Sequence, residues 1–336
     1  MSPTVSVVMA THQGTRFLGA QLRSIAEQRQ RPDELVVVDD ASGDGTAELV
    51  QGATRSWGLP VRVLVQPVRS GSTEAFARGI AAAEGDVIVL SDQDDVWLPN
   101  KVARLSAAFE DPTVGLAFSD AWLLDADGRR RAERLWEVAG FSQRQRLAMV
   151  AEPFGQILSR SIVSGCTLAF RADLRSLVLP FPVWIDQPLG VMTHDRWISL
   201  VTSSTASVAV IDEPLIGYRL HPDQQIGIPA LQVRRVVPSA AVRWRQLAVP
   251  RQVSRARIDY YLAHLDELLG RLGAAETRAT PRAVVEVEAA AAHLRRRRDL
   301  PLGHLARVRP VLAELAAGGY DRYSLGRASA TADLVR

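Results

Sequence analysis

Carboxylates follow three of the apolar, β-branched runs in the first 120 residues. Asp39 and Asp40 follow one run, the acidic stretch 92–95 follows another, and Asp120 follows a third. Clustered carboxylates raise one another's pKa unless a cation or hydrogen-bond donors hold them. The Asp-x-Asp spacing within the stretch 92–95 supplies the hard oxygen ligands that suit Mg²⁺ or Mn²⁺. The sequence therefore predicts a divalent-metal site at these strand ends.

The sequence lacks the usual phosphate-binding loops. No Gly-x-Gly-x-x-Gly follows the first predicted strand, and no Gly-Lys-Ser or Gly-Lys-Thr occurs anywhere. A dinucleotide-binding site of the Rossmann type and a P-loop are therefore disfavoured. A metal with acidic residues suits a nucleoside diphosphate whose charge the metal neutralises. An acidic residue after the second strand is well suited to accept hydrogen bonds from the base or ribose.

Apolar runs alternate with helix-period segments in the first part of the chain. Strands are predicted at 5–9, 35–38, 61–65, 87–90 and 114–118. Short, continuously apolar strands separated by helices are typical of a mostly parallel sheet with helices on both faces. In such α/β sheets ligands bind outside the carboxyl ends of the strands, where the carboxylates lie.

The pattern changes after residue 120. Further strands are predicted at 164–170 and 207–211, and a helix begins at His194. Beyond Pro229 the sequence is helical, at roughly 231–247, 253–273, 282–298 and 302–317. We therefore expect an α/β domain over residues 1–228 and an all-helical region over 229–336. The domain divides into a nucleotide-binding half, 1–120, and an acceptor half, 121–228.

The amino-acid composition excludes some classes of protein and indicates where the protein is located. Lysine occurs once among 40 basic residues, and cysteine occurs once, which excludes an intramolecular disulfide. Residues 230–336 carry 19 basic and 10 acidic side chains, and the run Arg295–Arg298 is interpreted as a solvated helix end. No long apolar run or signal segment occurs, so a cytoplasmic protein is expected. The basic region leaves open a peripheral contact with the inner face of the membrane.

Several motifs together resemble a known family. They are Ser6-Val-Val-Met-Ala-Thr, Val38-Asp-Asp-Ala-Ser-Gly-Asp-Gly-Thr, Leu90-Ser-Asp-Gln-Asp-Asp-Val-Trp-Leu-Pro-Asn-Lys, Ser164-Gly-Cys-Thr-Leu-Ala-Phe, His194-Asp-Arg-Trp and Asp212-Glu-Pro-Leu-Ile-Gly-Tyr-Arg-Leu-His. In this order they resemble the family 2 inverting glycosyltransferases of GT-A fold, in the rhamnosyltransferase-like branch. The resemblance extends to about residue 227. The sequence departs from the family pattern after the third strand, because the loop 66–71 lacks the asparagine that is common there in the family.

The resemblance implies a role for individual residues. It assigns contacts with the nucleotide sugar to Thr11, His12, Asp40, Asp92 and Gly165. Among these, Asp40 would pair with the pyrimidine base and Asp92 would face the ribose. It assigns a divalent metal, Mg²⁺ or Mn²⁺, to Asp94 and His221, and the position of the catalytic base to Asp195.

The resemblance also implies an activity. It is the inverting transfer of a sugar from a nucleotide donor, dTDP-rhamnose or another dTDP- or UDP-sugar, to an acceptor hydroxyl. The acceptor is a glycan, a lipid-linked molecule or a natural product, and no nucleic-acid partner is expected. Two alternatives stay open at this point. One is a sugar-nucleotide pyrophosphorylase, and the other is a non-catalytic scaffold that binds membrane or nucleic acid through residues 230–336.

Overall fold

The structure is a computed structural model that describes residues 2–55, 57–185, 192–224, 251–274, 280–324 and 326–335. The chain divides into two compact units. The first, called here the α/β unit, comprises 1–153, 161–185 and 192–227. The second, called here the helical unit, comprises 154–160, 186–191 and 228–336.

Strands and helices alternate through the first part of the chain. They are β1 (Val5–Thr11), α1 (Thr15–Ala26), β2 (Glu34–Asp39), α2 (Thr46–Thr54), β3 (Val61–Val65), α3 (Ser72–Ala82), β4 (Val87–Ser91), β5 (Val96–Trp97), α4 (Lys101–Ala108) and β6 (Val114–Leu124). Every residue of β2 and β4 is buried, which explains why these strands are continuously apolar in the sequence.

The second part of the chain mixes short elements with one long strand. They are β7 (Arg130–Arg134), α5 (Leu135–Ala139), α6 (Gln143–Ala151), α7 (Pro153–Ser159), a 3₁₀ turn (Gly165–Thr167), β8 (Leu168–Arg171), a second 3₁₀ turn (Ala172–Leu174), α8 (Arg175–Val178), α9 (His194–Thr205) and β9 (Ser207–Arg219). The strand predicted at 207–211 is thus the first part of a longer strand that continues to Arg219.

The sheet has the order β3-β2-β1-β4-β8-β6-β9-β5, with β7 paired to β6. Strands β1 to β4 are parallel, so their carboxyl ends lie at one edge. Strand β8 runs antiparallel to both β4 and β6, and β9 is parallel to β6. The predicted α/β class is therefore confirmed. Beyond β4 the sheet is mixed, because β8 runs in the opposite direction to its neighbours β4 and β6.

Asp120 does not lie at a strand end, contrary to the prediction. Strand β6 continues to Leu124, and Asp120 is a buried mid-strand residue at an irregularity in the pairing with β9. Its carboxylate accepts hydrogen bonds from the backbone N–H groups of Trp136 (3.0 Å) and Ala121 (2.8 Å). Asp120 thus anchors the start of α5 and is not part of the acidic strand ends.

The helical unit contains five helices among its described residues after 250. They are α10 (Arg251–Ala274), α11 (Pro281–Arg298), α12 (His304–Ala316), α13 (Gly319–Tyr323) and α14 (Arg327–Val335). The predicted helix at 231–247 lies outside the described residues. The end of α11 is not simply solvated, because Arg297 pairs with the buried Asp333 (2.6 Å) and Arg296 with Glu314 (2.6 Å). These arginines therefore hold α11 against its neighbouring helices.

No helix in the described part of the chain has the length and hydropathy needed to cross a bilayer. The cytoplasmic location and the peripheral membrane contact stay predictions of the sequence.

Asp44, in the loop between β2 and α2, accepts hydrogen bonds from the first residues of two helices. Its Oδ2 accepts from the backbone N–H of Thr15 (3.2 Å) and from the Thr15 hydroxyl (2.8 Å). Its Oδ1 accepts from the backbone N–H of Thr46 (3.1 Å) and from its hydroxyl. Slight burial raises the pKa of Asp44, but these hydrogen bonds outweigh it and lower the pKa to about 2. One carboxylate therefore caps both α1 and α2.

Replacing Asp44 by alanine should lower the free energy of unfolding by about 1–2 kcal/mol at pH 7, because both helix starts lose their cap. The folded-state pKa is depressed, so this stabilisation is present above pH ~4 and disappears as pH falls towards 2. Urea denaturation at pH 7 and pH 3 measures both effects. The exposed Asp127→Ala is the control, and equal midpoints for the two variants at pH 7 would contradict the capping role.

Candidate active site

The carboxyl ends of β1, β2 and β4 bring several predicted site residues to one edge of the sheet. The parallel register pairs Thr11 with Asp39 and Met9 with Ser91. The backbone N–H of Asp40 donates to the carbonyl oxygen of Thr11 at 2.8 Å. The strand ends that the sequence predicts to meet are thus hydrogen-bonded neighbours.

Thr11 and His12 mainly hold this edge together. The Thr11 hydroxyl is buried and donates to Asp39 Oδ1 at 3.0 Å. The Nδ1 atom of His12 lies 2.8 Å from the carbonyl oxygen of Asp40. The side-chain amide of Gln93 pairs with the backbone of His12 in both directions, at 2.9 and 3.0 Å. The end of β1 is thereby tied to the acidic stretch after β4.

Asp40 is buried and anchors the loop between β3 and α3. Its Oδ1 accepts hydrogen bonds from Gln66 Nε2 and from the backbone N–H of Ser70, both at 2.7 Å. Its Oδ2 accepts from the backbone N–H of Gly71 at 2.8 Å. The loop that lacks the asparagine common in the resembled family is therefore shaped around Asp40. One lone pair of Oδ2 stays available for a ligand.

Asp92 and Asp95 form the most strongly perturbed part of the site. Burial, and then the negative charges of Asp94 and Asp195, together raise the pKa of Asp92 to about 7. Burial, and then the charges of Asp94 and Asp92, raise the pKa of Asp95 well above its usual range. Near neutral pH these carboxyls hold protons or attract a cation. The effect of Asp195 on Asp92 also indicates that the start of α9 lies close to the acidic stretch.

Asp94 and His221 form a direct pair. Their Oδ2 and Nε2 atoms are 2.7 Å apart, with side chains 16% and 6% exposed. The ring of Phe17 packs against that of His221, with centroids 4.6 Å apart. The Nδ1 atom of His221 is buried and has no hydrogen-bond partner among the described residues. A carboxylate beside an imidazole is a donor set that fits Mn²⁺ or a related divalent cation.

Asp195 lies in the first turn of α9, and its carboxylate is held from several sides. Oδ1 accepts hydrogen bonds from the Thr193 hydroxyl and from the backbone N–H of Arg196, the latter at 2.7 Å. Oδ2 accepts from the backbone N–H of Gly165 at 2.9 Å. A side chain at Gly165 would put a Cβ atom 3.3 Å from the ring of His194. Gly165 thus contacts Asp195 directly, and Oδ2 keeps an unused lone pair.

A second group of potential metal ligands lies deeper. Asp92, Asp95 and Cys166 each offer one ligand atom, and these atoms are all within 4.8 Å of one another. Such a group can hold a metal ion. The nearby Lys101 ammonium already supplies positive charge, since it acts electrostatically on Asp92 and on Asp95.

Arg219 is a site residue that the sequence analysis missed. It is buried at the end of β9, its backbone N–H donates to Asp95 Oδ1 (3.0 Å), and its Nε donates to the carbonyl oxygen of Asp94 (2.8 Å). Its Nη1 reaches the carbonyl oxygen of Ala126 at 3.2 Å. Arginine is too common in this chain to attract notice, and only the Tyr-Arg-Leu-His context before His221 could have signalled it.

Comparison with known families identifies the α/β unit. The model described as glycosyl transferase family 2 matches residues 6–172. This segment belongs to glycosyl transferase family 2. The family resemblance is therefore confirmed, whereas the rhamnosyltransferase-like branch stays a prediction.

Two curated relatives match more than half of the chain. An uncharacterized glycosyltransferase of Nostoc sp. is 26% identical over 217 residues, which cover 65% of each chain. An uncharacterized protein of Mycobacterium tuberculosis is 34% identical over 190 residues, which cover 56% of this chain and 53% of that protein. The chain thus spans between about half and two thirds of the length of these relatives.

A solved structure shares the fold of this chain. The S. aureus TarS fragment 1–349, solved in complex with UDP-GlcNAc, superposes with a TM-score of 0.51 at 16% identity. The match covers 98% of this chain and 90% of that chain. This likeness, together with the sheet order, confirms the predicted fold class.

Replacing Arg219 by methionine should lower the free energy of unfolding by about 2–3 kcal/mol, because two partly buried carbonyl oxygens lose a charged donor. Arg16→Met is a matched control, since both guanidinium groups lie over the ring of Phe17, at 4.9 Å for Arg219 and 4.7 Å for Arg16. The Arg16 side chain is 61% exposed, so its loss should change stability by less than about 0.5 kcal/mol. Chemical denaturation measures both, and equal losses would contradict the role of Arg219.

Proposed function

We propose that the α/β unit transfers a sugar from a nucleoside diphosphate donor to an acceptor hydroxyl. The observation that carries the proposal is the convergence of carboxylates from distant segments. Asp92 responds to the charges of both Asp94 and Asp195, and Asp94 pairs with His221. Family 2 membership of residues 6–172 supports the same reaction class. The UDP-GlcNAc complex of TarS supports a nucleotide sugar as the donor.

The donor nucleotide lies, in this proposal, along the ends of β1, β2 and β4. Asp40 offers its remaining acceptor lone pair to the N–H of a pyrimidine base, and Asp92 faces the ribose. His12 and Thr11 shape the edge between them, and Gly165 borders the sugar because its N–H donates to Asp195, the proposed base. The donor that we propose is a dTDP- or UDP-sugar, with dTDP-rhamnose as the first to test on family similarity.

A divalent metal completes the donor side. Asp94 and His221 would hold it, because they are the oxygen and nitrogen donors beside the proposed diphosphate position. When bound, such an ion neutralises the charge of the diphosphate and stabilises it as a leaving group. The two side chains already lie next to each other, with His221 Nε2 2.7 Å from Asp94 Oδ2.

Asp195 acts as the general base in the proposed mechanism. The acceptor oxygen attacks the anomeric carbon, the bond to the diphosphate oxygen breaks with its electron pair, and the acceptor proton passes to Asp195. The Gly165 and Arg196 N–H groups and the Thr193 hydroxyl orient the carboxylate, which leaves one lone pair of Oδ2 to receive that proton. In-line attack from the face opposite the leaving group inverts the anomeric configuration.

A thermal-shift screen tests donor and metal together. UDP-, dTDP- and GDP-sugars are added with and without Mn²⁺ to the wild type and to Asp94→Asn. The correct nucleotide at about 100 times its Kd should stabilise the wild type by about 2.7 kcal/mol. The gain from Mn²⁺ should disappear in Asp94→Asn, because the proposed metal loses a charged ligand. Failure of every nucleotide to stabilise the wild type would overturn the proposed function.

Replacing Asp195 by asparagine should lower turnover by about 10²–10⁴-fold, because the neutral amide cannot take up the acceptor proton. Donor binding should stay unchanged, since Asp195 acts on the acceptor. Single-turnover kinetics and donor titration separate the two effects. The control is Asp127→Asn, a carboxylate in the exposed turn after β6. A near-normal rate for Asp195→Asn would exclude it as the base.

A further inference from the structure

Lys101 is the only lysine of this chain, which uses arginine at its 39 other basic positions. It is the first residue of α4, and its side chain is fully buried. A buried ammonium is costly unless partners replace the water that it loses. The groups that contact the Lys101 ammonium therefore indicate its role in the structure.

Lys101 joins three segments of the α/β unit. Its Nζ donates to the carbonyl oxygen of Cys166 at 2.5 Å, within the 3₁₀ turn Gly165–Thr167. The same atom lies 4.0 Å from the ring centroid of Trp97 in β5. The carboxylates of Asp95 and Asp92 also act on it electrostatically. A single cation thus connects α4, β5 and the turn.

The turn that Lys101 holds is the turn that holds Asp195. The backbone N–H of Gly165 donates to Asp195 Oδ2 at 2.9 Å, one residue before the carbonyl that Lys101 binds. The turn is closed by a hydrogen bond from the N–H of Thr167 to the carbonyl oxygen of Ser164 at 2.9 Å. Moving the Cys166 carbonyl therefore moves the Gly165 N–H as well.

We propose that Lys101 is a positioning residue for Asp195. Its ammonium fixes the 3₁₀ turn Gly165–Thr167. The N–H of Gly165 in that turn then fixes the direction of the Asp195 carboxylate. The inference rests on the proposed function for its effect on catalysis, but the mechanical link from Lys101 to Gly165 is independent of it.

The site also selects an ammonium over a guanidinium. The compact ammonium group of Lys101 lies between the carbonyl oxygen of Cys166 and the ring of Trp97, and the side chain is fully buried. A planar guanidinium is wider and presents its donors in a fixed fork. We therefore expect Lys101→Arg to disturb the turn, although it conserves the charge.

The test uses Lys101→Met and Lys101→Arg in the full chain. Arg104→Met is the matched control, because Arg104 lies one turn further along α4 with its side chain 50% exposed. Amide hydrogen exchange at Gly165 reports the hydrogen bond to Asp195 directly. Steady-state kinetics with the donor found in the nucleotide screen report catalysis, with kcat and donor KM measured separately.

Both Lys101 variants should lose about tenfold or more of the protection of the Gly165 amide, and Arg104→Met should lose none. Turnover should fall by about 10- to 100-fold, as for a catalytic group displaced by about 1 Å, while donor KM stays unchanged. A purely structural role would instead change kcat, KM and the unfolding midpoint together. If Lys101→Met does not fold, Lys101→Arg carries the test.

Unchanged Gly165 exchange in a folded Lys101 variant would overturn the proposal. Normal kcat alongside lost protection would overturn it too, because the turn would then have no effect on Asp195. Absence of turnover in the wild type contradicts the proposed function instead. In that case the exchange measurement alone decides whether Lys101 holds the turn.

Discussion

Repulsion among carboxylates is the constraint around which the α/β unit is built. Parallel strands deliver their carboxyl ends to one edge, and in this chain aspartates follow two of these strands, β2 and β4. Crowding and burial raise the pKa of Asp92 and of Asp95, so the edge must receive positive charge or donated hydrogen bonds. Much of the surrounding structure supplies them.

The fold meets this demand in different ways at different aspartates. Backbone N–H groups satisfy Asp40 and Asp195, whose carboxylates each face a loop or turn. The Lys101 ammonium acts electrostatically on the acidic stretch 92–95, and the Arg219 guanidinium donates to the carbonyl oxygen of Asp94. His221 pairs with the Asp94 carboxylate. A carboxylate held by several N–H groups keeps its orientation, and in our proposal Asp94 and His221 together hold the metal. The chemistry proposed for each aspartate follows this division.

The local hydrophobic pattern predicted the bounds of strands β1 to β4 well, because a strand covered on both faces of the sheet has a continuous apolar run in its sequence. Strand β3 has the predicted bounds, and β1, β2 and β4 differ by at most two residues at either end. Strand direction has no such local signature, so the reversal of β8 and the continuation of β6 past Asp120 were not foreseen. Arg219 contacts Asp95, which lies 124 positions earlier in the sequence. Hydrophobic periodicity describes only neighbouring residues, so it cannot predict a contact at that separation. The resemblance did name Gly165 and Asp195, and the structure brings them into contact.

The separation between Arg219 and Asp95 has a consequence for biosynthesis. The ribosome makes the acidic stretch more than a hundred residues before the arginine and histidine that balance it. At 5–20 residues per second this delay is on the order of ten seconds. During that time the nascent chain can pair β1 to β4, and Lys101 is already present, but the acidic stretch lacks its contacts with Arg219 and His221. Completion of this edge therefore waits for β9 and the residues that follow it, and a chain that stops before β9 would leave the ribosome without these two contacts.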